Sequence, residues 1–255
     1  MNREKILKII LPFLTVLLIF FIWELLSKFG IINSALFSSP SLIFSSIASS
    51  SVILQHILNS LLRLIISVAI GYILGFLAGI IISDSYKFKF LEDLISFFMS
   101  IPGIAWAPVF ILFLGFGNNT IIAVGILTAF FPVTYNILHG LKGIDKNLFN
   151  LGDVFCYNSF QKLYLIKLPS ITNYLLIALK LSFARTWRTI IAVEMIAATM
   201  FGLGYMIFDA RELLNSKIMF SGIILSGLIY YILENFCIHH IEEFTVIKWG
   251  MKKRI

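Results

Sequence analysis

Four charged residues lie within one apolar stretch of the chain and could bind or move a polar group there. They are Lys180, Arg185, Arg188 and Glu194. A charged side chain is costly against lipid, so each of these residues should face a partner or a water-filled cavity. Arg188 and Glu194 are six positions apart and do not face each other as an i, i+4 pair would. We expect Lys180 to lie at the membrane rim, and the rim is the alternative position for Arg185. We expect Glu194 to have a structural or gating role.

Motifs for hydrolytic, covalent or metal chemistry are absent from the sequence. It contains no Gly-x-x-x-x-Gly-Lys-Ser/Thr phosphate loop, no His-Glu-x-x-His zinc motif and no Gly-x-Ser-x-Gly nucleophile motif. His239-His240 lies close to Glu242-Glu243, but sequential residues point to different helix faces, so we predict no metal site. Cys156 and Cys237 fit neither a disulfide framework nor a metal-ligand spacing, and we interpret both as apolar fillers.

The composition decides which kind of protein must position these charges. Hydrophobic residues make up 59% of the 255-residue chain and charged residues 13%, with a mean hydropathy of +0.96. A typical globular domain has about 25% charged residues. Because about 20 apolar residues are needed to cross the hydrocarbon layer as a helix, we predict an all-α integral membrane protein of one domain, 1–255. Its six transmembrane helices are expected near 9–27, 61–83, 95–114, 119–139, within 171–200, and near 218–237.

The distribution of Lys and Arg predicts the orientation of these helices. Thirteen such residues fall in the segments that the spans leave on one side of the membrane, and two, Arg211 and Lys217, fall on the other side. The positive-inside rule places the thirteen, together with both termini, on the cytoplasmic side of the membrane. No basic patch is interleaved with aromatic residues on a soluble face, so the charge does not indicate nucleic-acid binding.

A polar segment interrupts the apolar pattern between the fourth and fifth spans. Leu148, Leu151 and Phe155 recur at i, i+3 and i+7. This spacing indicates a short amphipathic helix with one apolar stripe. Pro169 lacks an amide proton and disfavours helix in the two residues before it, so it should separate this element from the fifth span. Such a helix can rest on the membrane spans or be held by a soluble partner.

Prolines and glycines distinguish two of the predicted spans. Pro102 and Pro108 should break the third span. Broken helices at membrane depth occur where they are buried in protein or line a cavity, so both prolines are candidates for a polar pathway. In the second span, Gly71, Gly75 and Gly79 form one smooth face that lets a neighbouring helix approach closely. Packing within one subunit is favoured there over a contact between subunits.

Several stretches occur in an order and spacing that is specific as a set, although each is weak alone. They are the run from Ile101 to Gly117, the run from Phe130 to Asp145, Leu168-Pro169, Trp187, Glu194-Met-Ile-Ala-Ala and Gly202-Leu-Gly204. In these features the chain resembles the permease subunits of bacterial ABC importers, and more narrowly the nitrate, sulfonate and taurine branch of the binding-protein-dependent type. The resemblance covers about residues 36 to 250 and implies a core permease fold over about 58–240.

In that family the loop before the Leu-Pro pair carries a Glu-Ala-Ala motif and a later Gly, and it forms a coupling helix seated in a groove of the ATPase subunit. Counting back from Pro169 places these positions on Asn150, Leu151, Gly152 and Cys156, and none of the four matches. Coupling is therefore implied by position, and Cys156 is expected to alter a backbone where Gly is permissive. The implied coupling residues within 143–169 are Leu148, Asn150, Leu151, Gly152, Asp153, Phe155, Cys156, Leu168 and Pro169.

The resemblance also implies a bacterial inner membrane as the location, and it implies the partners. Two permease copies, as a homodimer, would line the path, two ATPase subunits would bind ATP and Mg on their own chains, and an extracytoplasmic binding protein would dock on 31–58 and 203–216. This chain would hold no cofactor and would not be an enzyme. The cargo would be nitrate, a sulfonate such as taurine, another small anion or a vitamin precursor. The alternative is a secondary transporter without an ATPase, although the sequence shows no internal symmetry. The implied path residues are Pro102, Pro108, Arg185, Arg188 and Glu194.

Overall fold

The chain is helical throughout the part that the structure describes, which confirms the predicted all-α class. The structure is a computed structural model that describes residues 3–31, 33, 36–83 and 89–238, and it contains no strand within these ranges. The predictions for the two histidines and two glutamates after position 238, and for the basic tail, lie outside the described residues. The side chain of Cys237 also lies outside them.

Eleven helices follow one another along the described residues. A 3₁₀ turn occurs at Gly103–Trp106, and π-helical turns occur at Leu163–Lys167 and Leu233–Ile238. The helices are α1 Arg3–Lys28, α2 Pro40–Ser49, α3 Ile53–Ser83, α4 Lys89–Ser100, α5 Ala107–Leu114, α6 Asn118–Lys142, α7 Lys146–Val154, α8 Ser159–Ser170, α9 Thr172–Ala197, α10 Leu203–Glu212 and α11 Ser216–Ile232.

The long helices agree with the predicted membrane spans. Among the described residues, α3, α6 and α11 are each long and apolar enough to cross a membrane, and the number rises to five if each of two bent helix pairs is one span. Helix α1, with 26 residues, covers the predicted first span. Helix α3 begins at Ile53, eight residues earlier than predicted, because the apolar pattern continues through an N-terminal turn that contains His56.

Helix α6 lies at the centre of the fold, packed against α3 on one side and α9 on the other. The three glycines of α3 make the first contact possible. A methyl group at Gly71 would lie 2.6 Å from the Ala129 Cβ, and one at Gly75 would lie 2.8 Å from the Phe130 carbonyl oxygen. At Gly79 it would lie 2.7 Å from the Ile137 Cβ. The structure therefore places the glycine face within one subunit, between α3 and α6.

The third predicted span is broken, but at only one of its two prolines. The segments Phe90–Ser100 and Gly103–Leu114 meet at an angle of 96°, and Pro102 lies in the break, as expected. Pro108 does not break a helix, so the predicted break at this residue is wrong. It occupies the first turn of α5, where a backbone amide has no intrahelical acceptor. The missing amide proton of proline therefore costs no hydrogen bond there. Gly115, with φ of +73°, ends α5.

The backbone before Pro169 differs from the predicted one. Lys167 and Leu168 both have right-handed helical dihedral angles, so the expected loss of helix before the proline is wrong. The π-helical turn at Leu163–Lys167 widens the backbone immediately before Pro169, which leaves room for its ring within α8. The expected separation from the fifth span is confirmed, since α8 and α9 are bent by 67°.

Candidate functional site

A cavity of about 370 Å³ lies at the break between α4 and α5, against α6 and α9. Three of the residues expected on the pathway line it, namely Pro102, Arg185 and Arg188. The two arginines are three positions apart on α9 and so occupy the same face of that helix. No Asp or Glu is among the described residues that line the cavity. The cavity therefore has a positive wall that is suited to a negatively charged solute.

One wall of this cavity depends on close packing at Gly103. A methyl group there would lie 2.5 Å from the Thr189 hydroxyl oxygen and 2.6 Å from the Thr128 hydroxyl oxygen. Glycine lets the 3₁₀ turn approach α6 and α9, so that both threonines line the same cavity as the arginines. Arg185 is held by one hydrogen bond, which its Nη1 donates to the Met99 carbonyl oxygen at 3.3 Å. The site thus combines two cationic groups with two hydroxyl groups.

Glu194 lies outside this cavity, as does Pro108. The carboxylate is buried, with 1% of the residue exposed, and it accepts hydrogen bonds from three groups. The Arg63 Nη1 donates at 2.6 Å, the Ser60 hydroxyl at 2.9 Å and the Gly204 amide at 2.9 Å. All of these partners belong to the same chain. These bonds join α3, α9 and α10, and the structural or gating role expected for Glu194 stays a prediction.

Arg63 extends these contacts to a fourth part of the fold. Its Nε and Nη2 donate to the Asn118 side-chain oxygen at 2.9 and 2.6 Å. Ser60 accepts from the Leu203 amide at 2.9 Å, and His56 Nδ1 lies 2.9 Å from the Gly202 carbonyl oxygen. We call this set the buried polar network. It joins α3, the start of α6, α9 and the start of α10, and its members are His56, Ser60, Arg63, Asn118, Glu194, Gly202, Leu203 and Gly204.

Sequence reasoning did not identify Arg63, although a signal was present. Arg63 is the only Lys, Arg, Asp or Glu residue in the 31 residues of α3, and a lone intramembrane charge requires a partner. The glycines of the Gly202-Leu-Gly204 run are explained by the same contacts. Gly202 has φ of +148°, and a methyl group there would lie 2.6 Å from both the Arg63 Nη1 and the Glu194 carboxyl carbon. The glycine run is therefore required for this backbone to lie so close to the Glu194 carboxylate.

Helix α7 contains the predicted apolar stripe, and the stripe is exposed. Leu148, Leu151 and Phe155 are 40%, 53% and 67% exposed. Asp145 is the N-cap of this helix, and its side chain accepts a hydrogen bond from the Asn147 amide at 2.9 Å. A stripe of this kind on a short helix outside the spans leaves apolar surface available for a partner.

The opposite face of α7 is attached to α8. Gly152 is buried, and a methyl group there would lie 2.7 Å from the Ile166 Cδ1. Asp153 and Lys162 form a salt bridge between the two helices. Of the other predicted coupling residues, Asn150 is exposed on α7, whereas Leu168 and Pro169 lie at the end of α8 and are half-buried. The exposed stripe therefore belongs to a helix that is fixed to the segment leading into α9.

Comparison with known proteins assigns the sequence of this chain to a family. Residues 71–243 match the family described as "Binding-protein-dependent transport system inner membrane component". The chain belongs to this family. It is therefore the permease component of a binding-protein-dependent ABC importer and a multi-pass membrane protein.

Named relatives of this permease belong to several transport systems. The chain is 27% identical over 232 residues to the Bacillus subtilis protein SsuC, whose name assigns it to aliphatic sulfonates transport, with 89% of this chain and 83% of that protein covered. It is 28% identical over 144 residues to the Escherichia coli taurine transport system permease protein TauC, covering 56% and 52%. It is 23% identical over 249 residues to the Synechococcus elongatus bicarbonate transport system permease protein CmpB, covering 92% and 88%.

A solved structure supports the fold of the permease. A chain from inward-facing conformations of the MetNI methionine ABC transporter superposes with a TM-score of 0.59 and 17% sequence identity. The similarity covers 74% of this chain and 94% of that chain. At this identity the comparison supports the helical arrangement alone.

Cys156 of the permease adopts the left-handed backbone conformation that favours glycine. Its φ is +54°, and the Tyr157 amide donates to the Gly152 carbonyl at 2.8 Å while the Cys156 amide donates to the Asp153 carbonyl at 3.0 Å. These two bonds form the Schellman ending of α7. The expected change of backbone at this position is therefore wrong, because the two capping bonds hold a left-handed residue whatever its side chain. Cys156 is also exposed, so its interpretation as an apolar filler is wrong.

Replacing Cys156 by Gly should stabilise α7. A residue with a Cβ atom loses roughly 1 kcal/mol in the left-handed conformation relative to glycine, so Cys156→Gly should raise the thermal unfolding temperature of the purified permease. Cys156→Ala keeps the Cβ atom and is the matched control, which should give no increase. An equal increase in both variants would show that the thiol, and not the backbone, carries the strain.

Proposed function

We propose that two copies of the permease form the membrane path of an ATP-driven importer and that each copy receives force through α7. Two partner ATPase chains bind ATP and Mg, and each holds the exposed stripe of one α7. An extracytoplasmic binding protein delivers the solute to the opposite side of the membrane. The observation that carries this proposal is the stripe itself, since an apolar surface on a short polar helix is stable in water when a partner covers it.

The attachments of α7 support a mechanical role. Gly152 packs on Ile166 and Asp153 pairs with Lys162, so a displacement of α7 moves α8 with it. The bend after α8 leads directly into α9, which carries Arg185 and Arg188 at the cavity. Movement of the ATPases can thus reach the cavity wall through two packed helices and one bend. The buried polar network keeps the far end of α9 fixed to α3 and α10 during this movement.

The proposed orientation places α7 and both chain ends in the cytoplasm, with α2 and α10 outside. Cys156 offers a direct test because it is exposed. In a Cys237→Ala background, a membrane-impermeant maleimide should label Cys156 in inside-out vesicles and leave it unlabelled in right-side-out vesicles. Ser45→Cys in a cysteine-free background is the matched control on α2 and should show the reverse pattern. Labelling of Cys156 in right-side-out vesicles alone would invert the topology.

The cargo we propose is a small anion. Arg185 and Arg188 face the cavity with Thr128 and Thr189, and no carboxylate among the described lining residues neutralises them. The names of the relatives refer to sulfonates, taurine and bicarbonate, all of which carry a negatively charged group. An anion can accept charge-assisted hydrogen bonds from either guanidinium as it passes.

Removing both cavity charges should therefore slow transport of the anion. Hydrogen bonds to a charged group are each worth roughly 1.5–3 kcal/mol, so Arg185→Gln with Arg188→Gln should reduce uptake by about tenfold or more. Uptake is measured in proteoliposomes that contain the ATPase, with the binding protein and a radiolabelled sulfonate outside. Lys180→Gln, on the same helix but away from the cavity, should keep the wild-type rate. Equal uptake by the double variant and the wild type would exclude the two arginines from the path.

A further inference from the structure

A second cavity, of about 590 Å³, is lined by residues of α3, α6, α7 and α8. Its apolar wall comes from α3 and α6, through Ile80 and Leu141, and from Phe149 of α7. Both long helices end within a few residues of this wall, at Ser83 and Lys142. The cavity therefore lies where apolar spans give way to polar loops, and not within the path formed around α9.

The other wall of this cavity is basic and polar. Lys162 and Lys167 of α8 line it, together with the hydroxyl groups of Ser83 and Ser159. No Asp or Glu is among the described lining residues, although Lys162 also forms its salt bridge with Asp153 and Lys167 also has an interaction partner within the chain. One wall is thus suited to hydrocarbon and the other to a negatively charged group, which is the division found in a phospholipid.

The outer face of α8 has the character of an interfacial helix. Tyr164 and Leu165 are 65% and 50% exposed on it. Aromatic residues are enriched where a membrane meets water, and amphipathic helices with lysines on the polar face lie in that plane. The 67° bend between α8 and α9 turns α8 away from the direction of the span, as this position requires.

We propose that this cavity binds an anionic phospholipid of the cytoplasmic leaflet. The headgroup phosphate lies between Lys162 and Lys167 and accepts hydrogen bonds from the lysines and from Ser159, while the acyl chains lie along Ile80 and Leu141. Basic pockets between helices on the cytoplasmic side are suited to such lipids, because their surface is negatively charged. This inference rests on the proposed orientation of the permease but is independent of its cargo and of the ATPase.

A lipid in this position would contact both the spans and the coupling segment. It would touch α3 and α6 through its chains and α8 through its headgroup, at the salt bridge that fixes α7 to α8. Anionic lipid should therefore stabilise the attachment of α7, whereas a zwitterionic lipid of the same chain length should not.

The test uses the full-length permease in a mild detergent, titrated with dioleoylphosphatidylglycerol. Lipid binding is counted by native mass spectrometry and thermal unfolding is followed in parallel. We expect discrete bound lipid and a higher unfolding temperature with phosphatidylglycerol, and neither with dioleoylphosphatidylcholine or inorganic phosphate. Lys162→Gln with Lys167→Gln should weaken binding about twenty-five-fold, because each lysine near an anionic lipid contributes roughly a factor of five.

Two variants separate the site from a general effect of charge. Lys146→Gln removes an exposed charge from α7 that does not line the cavity, and it should bind lipid as the wild type does. Lys162→Arg with Lys167→Arg keeps both charges and should retain binding even if the glutamine variant folds poorly. Equal binding of the two lipids, wild-type binding by the glutamine variant, or the same stabilisation by inorganic phosphate would overturn the proposal. Failure of the orientation test alone would leave lipid binding in detergent unchanged, so the two claims can be told apart.

Discussion

Glu194→Ala should lower the free energy of unfolding of the permease by about 3–5 kcal/mol, the largest loss of stability that we expect from a single substitution. The substitution leaves the guanidinium of Arg63 buried without its carboxylate and leaves the amide of Gly204 without its acceptor. Both groups lie inside the protein, where water cannot replace the lost oxygen atoms. The measurement is thermal or denaturant unfolding of the purified protein in detergent, followed by the fluorescence of its tryptophans.

The matched control for this substitution is an exposed glutamate on the neighbouring helix. Glu212 pairs with Arg211 at 3.3 Å, but both side chains are more than half exposed, so Glu212→Ala should cost less than about 1 kcal/mol. A second comparison isolates the charge. Arg63→Met combined with Glu194→Leu removes both charges and should be more stable than Glu194→Ala alone. If Glu194→Ala unfolds at the wild-type temperature, the buried polar network does not hold α3, α9 and α10 together.

Leu151→Asp combined with Phe155→Asp should remove the ATPase from the permease while leaving the membrane fold intact. Both side chains are more than half exposed, so the substitutions disturb little packing within the chain. They place two carboxylates in the surface that the ATPase is proposed to cover, where desolvation of unpaired charge opposes association. The measurement is copurification of the ATPase with affinity-tagged permease from membranes, together with the amount of permease inserted.

An equivalent pair of exposed leucines supplies the control on the side of the membrane that we propose is opposite to α7. Leu213 and Leu214 are 71% and 79% exposed at the end of α10, and Leu213→Asp with Leu214→Asp introduces the same two charges. This control should retain the ATPase at the wild-type level. Retention of the ATPase by the α7 variant, or equal loss from both variants, would show that α7 is not the contact.

The membrane spans and the polar segment between them could be predicted from the sequence because both depend on local patterns. Long apolar runs predict helices wherever lipid is the solvent, and the spacing of Leu148, Leu151 and Phe155 predicts the stripe of α7 without knowledge of its neighbours. Arg185 and Arg188 could likewise be assigned to a cavity, since a charge within a span requires one. These features are properties of single segments.

The contacts between segments could not be predicted in the same way. Glu194 has its partner 131 positions earlier in the chain, at Arg63, and sequence spacing carries no information about such a pair. The sequence therefore could not name the partners of Glu194, whose carboxylate accepts hydrogen bonds from Ser60, Arg63 and Gly204. The predicted effects of Pro108 and Pro169 on their helices are wrong for a related reason. The effect of a proline depends on whether the preceding turn is a helix start or a widened π turn, and neither has a clear sequence signal.

The central claim, that this chain is the permeation path of an ATP-driven importer, is tested most directly by solute uptake into proteoliposomes. These contain the permease with its ATPase, with the binding protein and a radiolabelled sulfonate or nitrate outside and ATP either present or absent inside. The account predicts uptake that requires ATP, the ATPase and the binding protein together. Uptake by the permease alone, driven by an ion gradient and unaffected by ATP, would contradict it and would identify a secondary transporter.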